Sequence, residues 1–265
     1  MEAMLMGCRL YYRWQRREEA EAPAILLLHG WGCDGTIFSF IESGLASQAS
    51  LLIPDFPGHG KSGEPPQPWG VAEYAEQIRE LLSQLNISKV HIVAHSFGGR
   101  VAIYLSSHYP QLIDRLVITG GAGIRRPVSH SQQKRQARYK RYQNLLKALG
   151  TLKPLTATVE NLQDKLRRKY GSPDYNRLTP TMRGTFVKIV NQDLLPMLPE
   201  ILAPTLLVWG SEDTETPLWM GQEMEKSIPD AGLVIFDGRT HFAFIEEWQR
   251  FLLILKEFFW GGRNA

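Results

Sequence analysis

The chain of 265 residues is poor in cysteine, with Cys8 and Cys33 alone. Two thiols so placed supply neither the paired spacing of a zinc site nor the density of a disulfide-stapled scaffold, so a reducing, cytoplasmic setting is expected. There is no HExxH constellation either, and no metal is expected. No apolar run approaches the roughly 18–20 residues that a membrane helix requires, so stable membrane insertion is not expected. Residues 1–10 lack a cationic region followed by a long apolar stretch, so no signal peptide is expected. Internal repeats and low-complexity segments are absent too. What remains is an ordinary globular composition, 43% hydrophobic and 22% charged, able to bury a sizeable core.

The apolar residues come in short blocks. Residues 24–28 and 51–53 are continuous apolar runs, as expected of strands buried on both faces, and 90–93, 116–118, 205–209 and 233–236 repeat the pattern. An aromatic-rich early strand is expected at 10–14. Between these blocks lie helical patterns: 71–85, with Tyr74, Ile78, Leu81, Leu82 and Leu85 on one stripe, the segment after Ser96, 218–228, and 242–260. Strand alternating with amphipathic helix predicts the α/β class, a doubly wound and mostly parallel sheet covered on both faces. From 124 to about 195 the pattern turns basic and helical without a buried-strand run, and Pro196, Pro199 and Pro204 mark the way back. The expected organisation is a core of 1–123 and 196–265 interrupted by a helical insertion, 124–195.

Chemistry is concentrated at the ends of the strand blocks. Ser96 stands between the 90–93 strand and a helix, with Ala94 and Gly98 two residues to either side. Small neighbours at those positions permit a sharp strained turn that lifts the serine hydroxyl out of the sheet. Taken alone, Ser96 could equally cap the helix. A serine hydroxyl becomes a useful nucleophile when a histidine takes its proton and a carboxylate orients that histidine. Asp213 follows the 205–209 strand and His241 follows the 233–236 strand, both at strand ends where sites of open α/β sheets form. Glu212, Glu215 and Asp237 compete with Asp213, and His241 could instead be solvated or cap a helix. His91 and His95 read as packed core residues, while His59, His108 and His130 show no partner pattern. For a developing oxyanion, two backbone donors are expected: the N–H of Phe97 at a helix N-terminus, and the N–H of Trp31 in the glycine-flanked loop after residue 28.

These features together resemble the α/β-hydrolase superfamily over nearly the whole chain. The residues that carry the resemblance are His29-Gly30-Trp31-Gly32, the run from Asp55 to Ser62, Ala94-His95-Ser96-Phe97-Gly98-Gly99, the segment from Gly210 through Asp213 to Pro217, and His241. The resemblance implies an eight-stranded sheet, a helical cap inserted after the sixth strand, and acyl-enzyme chemistry that requires no cofactor. Ala94 stands where many relatives have glycine. Serine at 96 argues against the dehalogenase and epoxide-hydrolase branches, which use a carboxylate nucleophile. The carbon–carbon bond hydrolases of ring-cleavage products share the capped layout but commonly extend the oxyanion loop with a Gly-Pro-Gly type sequence, where this chain has Gly32-Cys33-Asp34-Gly35. The expected function is thus a serine carboxylesterase acting on a small ester. Carbon–carbon cleavage, hydrolysis of a carrier-linked ester and a non-catalytic binding role on the same scaffold are the alternatives.

Charge is unevenly spread. Residues 124–190 hold sixteen Lys or Arg against Glu160, Asp164 and Asp174, near +13, which leaves the other residues near −10 against an overall +3. Lys134, Arg135, Arg138, Lys140, Arg141, Arg167, Arg168 and Lys169 could steer an anionic substrate, an acidic carrier protein or a membrane surface toward the insertion. A solvated face that balances the acidic core is the plainer reading. Nucleic acid is not expected, because no aromatic platform is interleaved with the basic residues. Tyr139, Tyr142, Leu145, Leu146, Phe186 and Ile189 are candidates for an apolar pocket lining or for the insertion's own packing.

Overall fold

A computed structural model describes residues 1–17, 24–126 and 173–261, together with 134, 137–142, 144–146 and 162. Eight strands form one sheet: β1 (Glu2–Leu5), β2 (Cys8–Gln15), β3 (Ala24–Leu28), β4 (Leu51–Pro54), β5 (Val90–His95), β6 (Ile113–Thr119), β7 (Thr205–Gly210) and β8 (Ala231–Phe236). Their order is β1-β2-β4-β3-β5-β6-β7-β8, antiparallel across the first two pairings and parallel from β4 to β8. The apolar runs occupy the middle: every residue of β3, β4 and β5 is buried.

Side chains alternate between the faces of the sheet, so each central strand feeds two cores. Leu26, Leu28, Ile92, Ala94, Leu116 and Ile118 pack with α2 (Val71–Gln84), α3 (Phe97–His108) and, through Met220 and Met224, a later helix on the same face. Ile25, Leu27, Val93, Val117 and Val208 pack on the other face, against α1 (Ser39–Leu45) and the C-terminal helices. Burial on both sides explains why these strands read as unbroken apolar runs. Each fully buried Leu or Ile contributes about 1.5–3 kcal/mol of hydrophobic stabilisation.

Between β6 and β7 the described residues include α4 (Pro173–Arg177) and α5 (Pro180–Asn191). The other elements are α6 (Leu218–Ser227), α7 (Ala243–Glu246) and α8 (Trp248–Trp260). Arg135, Arg167, Arg168, Lys169 and His130 lie outside the described residues, as does most of the predicted helical stretch from 127 to 172. Lys134, Arg138, Lys140 and Arg141 are exposed, and so are Tyr142 and Leu145.

The early strand expected at 10–14 lies within β2, and a strand not read from the sequence, β1, precedes it in a hairpin that turns at Met6 and Gly7 with φ of 51° and 72°. One expectation is corrected. The expected helix over 242–260 is two helices, because Glu247 leaves helical geometry at φ −120°, ψ 41°.

The chain leaves β3 for β4 on one side, then returns to β5 on the other. Strand order therefore reverses between β3 and β5, and their C-terminal ends open a crevice there. Both the loop carrying Trp31 and the turn carrying Ser96 emerge at that crevice.

Candidate active site

Ser96 sits at the junction of β5 and α3 with φ 51° and ψ −108°, a conformation that non-glycine residues avoid. The junction is held from several sides. The Ser96 N–H donates to Thr119 O at 3.2 Å, and the Ser96 carbonyl accepts from Gly99 and Ala122, each at 3.0 Å. Gly98 is pressed against β3, where a Cβ would stand 2.6 Å from the Leu28 carbonyl carbon. These contacts fix a backbone that the serine would not adopt alone, and leave its side chain partly open.

At the end of β7, Asp213 is buried with its carboxylate fully engaged. Its Oδ1 accepts the backbone N–H groups of Glu215 and Thr216 at 2.8 Å each, and its Oδ2 lies 2.8 Å from His241 Nδ1. Burial pushes the Asp213 carboxyl up, but hydrogen bonds from His241 and Thr216 outweigh it and hold it below the usual carboxylate range. An ionised Asp213 makes His241 Nδ1 the donor nitrogen and leaves Nε2 as a base. Among the described residues, Glu212, Glu215 and Asp237 make no hydrogen bond to His241.

Ser96, His241, Trp31 and Phe97 line one cavity of about 960 Å³. The Trp31 and Phe97 N–H groups have no hydrogen-bond partner among the described residues. Gly30 lies against Ser96, where a Cβ would be 3.3 Å from the serine Cβ. The loop is pinned by His29, whose Nε2 accepts the Phe56 N–H at 2.9 Å while Nδ1–H donates to Gly30 O at 2.8 Å. The bond accepted by Nε2 needs the neutral ring, and burial lowers the His29 pKa to about 3. The following loop is organised by Asp55, whose carboxylate accepts the Gly35 and Lys61 N–H groups at 2.9 Å each.

Helix α5 covers this region. Phe186 meets the Trp31 ring at 5.4 Å between centroids, and Thr185 Oγ1 accepts the Trp69 N–H at 3.0 Å. Of the six residues proposed from sequence as a pocket lining, Phe186 and Ile189 face the cavity; Tyr139, Tyr142, Leu145 and Leu146 are not among its described walls. His95 is buried beside His241, 4.7 Å between ring centroids, and His91 is buried against Phe259.

Two residues of the site escaped sequence reasoning. Thr216 Oγ1 lies 2.8 Å from Asp213 Oδ2, 2.9 Å from Gly120 O and 3.2 Å from His241 Nδ1. The Asp-x-x-Thr spacing, which closes a turn on the Asp213 carboxylate, was its available signal. Arg100, in the first turn of α3, also lines the cavity. Among the described residues, no group of three or more His, Cys, Asp or Glu is placed to hold a metal ion, and no helix is long and apolar enough to cross a membrane.

A parallel sheet with a strained serine at its switch point, and a histidine–aspartate pair at two further strand ends, is the arrangement of an α/β hydrolase. The chain belongs to the α/β-hydrolase-fold family, whose model matches residues 23–247. It is 30% identical to an uncharacterised protein of Mycobacterium tuberculosis over 270 residues, covering 93% of this chain and 78% of that one. It is 25% identical to a 2-hydroxy-6-oxononadienedioate/2-hydroxy-6-oxononatrienedioate hydrolase of a Pseudomonas species, covering 88% and 87% of the two chains. Among solved structures it resembles a hydrolase from Pseudomonas aeruginosa, with 26% identity, a TM-score of 0.72 and 97% of each chain covered. Family and relatives support a hydrolase.

Proposed function

We propose that the protein is a serine hydrolase that cleaves small carboxylic esters through an acyl-enzyme intermediate. The observation that carries this reading is the meeting of Ser96 and His241 in one cavity, with Asp213 2.8 Å behind the histidine. Ser96 Oγ attacks the ester carbonyl while His241 Nε2 takes its proton. Negative charge moves onto the carbonyl oxygen, which the Trp31 and Phe97 N–H groups receive; one such donor is worth about 2.7–4 kcal/mol in the transition state. Collapse expels the alcohol, protonated by His241, and leaves the acyl group on Ser96. Water then attacks the acyl carbon as His241 takes its proton, and a second collapse releases the carboxylic acid and restores Ser96. Asp213 stays ionised throughout and stabilises the imidazolium. Helix α5 and the neighbouring residues Tyr175 and Leu178 supply the cap-side wall of the pocket.

A second reading is favoured by the Pseudomonas relative, whose name describes hydrolysis of an oxodienedioate. The same groups would serve there, with a carbon leaving group in place of an alkoxide. The experiment is turnover of 4-nitrophenyl butyrate and of a 2-hydroxy-6-oxodienoate by wild type and Ser96→Ala, with phosphonate labelling of each. The ester reading expects ester turnover, a loss of at least ~10³-fold in Ser96→Ala, and label on wild type alone. Equal rates in both proteins would overturn it, and turnover of the oxodienoate alone would replace it with the second reading.

A further inference from the structure

Arg100 is a buried cation without a paired anion among the described residues. The residue is 7% exposed, and its one hydrogen-bond partner among the described residues is the Gln192 carbonyl, 2.8 Å from Nη1. No carboxylate among the described residues lies within ion-pair distance of it. Asp193 is near enough to be felt, but its Oδ1 is directed to the backbone N–H groups of Arg125 and Leu195, at 3.3 Å each. Burial lowers the guanidinium pKa to about 10, so the group remains charged at neutral pH. A desolvated charge with one neutral acceptor is costly, and folded chains usually pair such a group.

Its position explains what the charge is available for. Arg100 lies in the first turn of α3, the helix that Ser96 precedes. Both line the same cavity. The described charged residues of that cavity are Arg100, Arg125 and Arg126 against Glu215, apart from His241. Arg126 is already bonded to the carbonyls of Thr214 and Glu215, which leaves Arg100 as the deep cation nearest in sequence to the nucleophile. A guanidinium presents a planar fork of donors suited to a carboxylate. Among the described residues, one of its five donors is occupied.

We propose that Arg100 is a carboxylate subsite, and that the preferred substrate is a small ester carrying a carboxylate that reaches Arg100 while its scissile carbonyl sits at Ser96 in the same cavity. This rests on the ester-hydrolase reading and names its substrate class. Two positions of the carboxylate satisfy the geometry. On the acyl side the substrate is a monoester of a short dicarboxylic acid, and on the alcohol side it is an ester of a hydroxy acid. The competing role for Arg100 is purely architectural, capping the C-terminal end of α5 through Gln192.

The test compares matched anionic and neutral esters in wild type, Arg100→Gln and Arg100→Lys. Mono-4-nitrophenyl glutarate against 4-nitrophenyl pentanoate probes the acyl side; 4-acetoxybenzoate against its methyl ester probes the alcohol side. The readout is the ratio of kcat/KM for the anionic to the neutral member of each pair, which folding defects common to both substrates cancel. The expected result is a preference for the anionic member of one pair in wild type, carried by KM. In Arg100→Gln that ratio falls about 10- to 100-fold, as for a lost charge-assisted bond, and Arg100→Lys restores it in part. A ratio unchanged by Arg100→Gln in both pairs, or a wild-type preference for both neutral esters, overturns the proposal and leaves the capping role. A binding arm separates this failure from failure of the ester reading: glutarate, at ionic strength matched with sodium chloride, raises the thermal midpoint of Ser96→Ala but not of Ser96→Ala/Arg100→Gln. If no ester is turned over, an Arg100-dependent shift still supports the carboxylate subsite, and its absence removes it.

Discussion

Gly98 and Leu28 are in backbone contact across the β3–α3 junction: a Cβ on residue 98 would overlap the Leu28 carbonyl oxygen. The contact joins the turn that presents Ser96 to the strand that carries the Trp31 loop, so one missing methyl group sets the distance between them. Neither side can yield, because Leu28 is fully buried and bound within the sheet. Gly98→Ala is therefore expected to destabilise the protein by about 3 kcal/mol or more, the upper end for overpacking. Urea unfolding followed by tryptophan fluorescence checks this; a loss under 1 kcal/mol would show that the junction can relax.

Thr216 extends the His241–Asp213 pair. With its hydroxyl between Asp213 Oδ2, Gly120 O and His241 Nδ1, the side chain holds the carboxylate that holds the histidine. Thr216→Val keeps the shape and removes the hydroxyl. A hydrogen bond to a charged group contributes about 1.5–3 kcal/mol, so kcat for a neutral ester is expected to fall about 10- to 100-fold with KM nearly unchanged. Thr216→Ser should recover most of the loss, and a valine variant with full kcat would remove Thr216 from the site.

Asp213→Asn tests the pair itself. An amide can donate as well as accept, so it no longer enforces the tautomer in which Nδ1 of His241 carries the proton. Loss of kcat by ~10³- to 10⁴-fold is expected, with an unchanged far-ultraviolet circular dichroism spectrum. A tenfold effect or less would move the acid role to Glu215, which also faces the cavity.

The legible parts of this sequence were those with a repeating physical cause. Burial on both faces makes continuous apolar runs, so β3 to β7 could be read directly, as could α2, α3 and α6 between such runs. β8 reads as an apolar run too, although it is the edge of the sheet and Ile235 is exposed, and the positions of Ser96, Asp213 and His241 follow from the strand ends. The β1–β2 hairpin was half visible, because its Met6-Gly7 turn lacks the Asn-Gly or Asp-Gly pair that announces such turns. The break at Glu247 left no mark, since no proline or glycine falls between 242 and 260. Arg100 and Thr216 were overlooked for a different reason. Each follows a recognised residue by one helical or turn spacing, and its importance lies in what tertiary structure removes: solvent from the arginine, competing partners from the threonine.

The same removal of solvent makes stability depend on pH. His29 and His95 are both buried, and in both the loss of solvation lowers the pKa from 6.5 to about 3. His59 is displaced in the same direction by burial. Between pH 6.5 and 3 the unfolded chain binds protons at these rings while the folded chain does not, so stability falls as pH falls through that window. At pH 5.0 each of the first two rings is expected to cost about 2 kcal/mol relative to pH 7.5. Asp213, whose pKa is lowered on folding, acts in the same direction at still lower pH. Urea unfolding at the two pH values should show lower stability at pH 5.0. His29→Gln, which keeps hydrogen-bonding capacity without titrating there, should lose less on the same change. Equal or greater stability of wild type at pH 5.0 would mean that the buried rings are reached by water or protonated in the folded state, and the neutral tautomer assigned to His29 would fall with it.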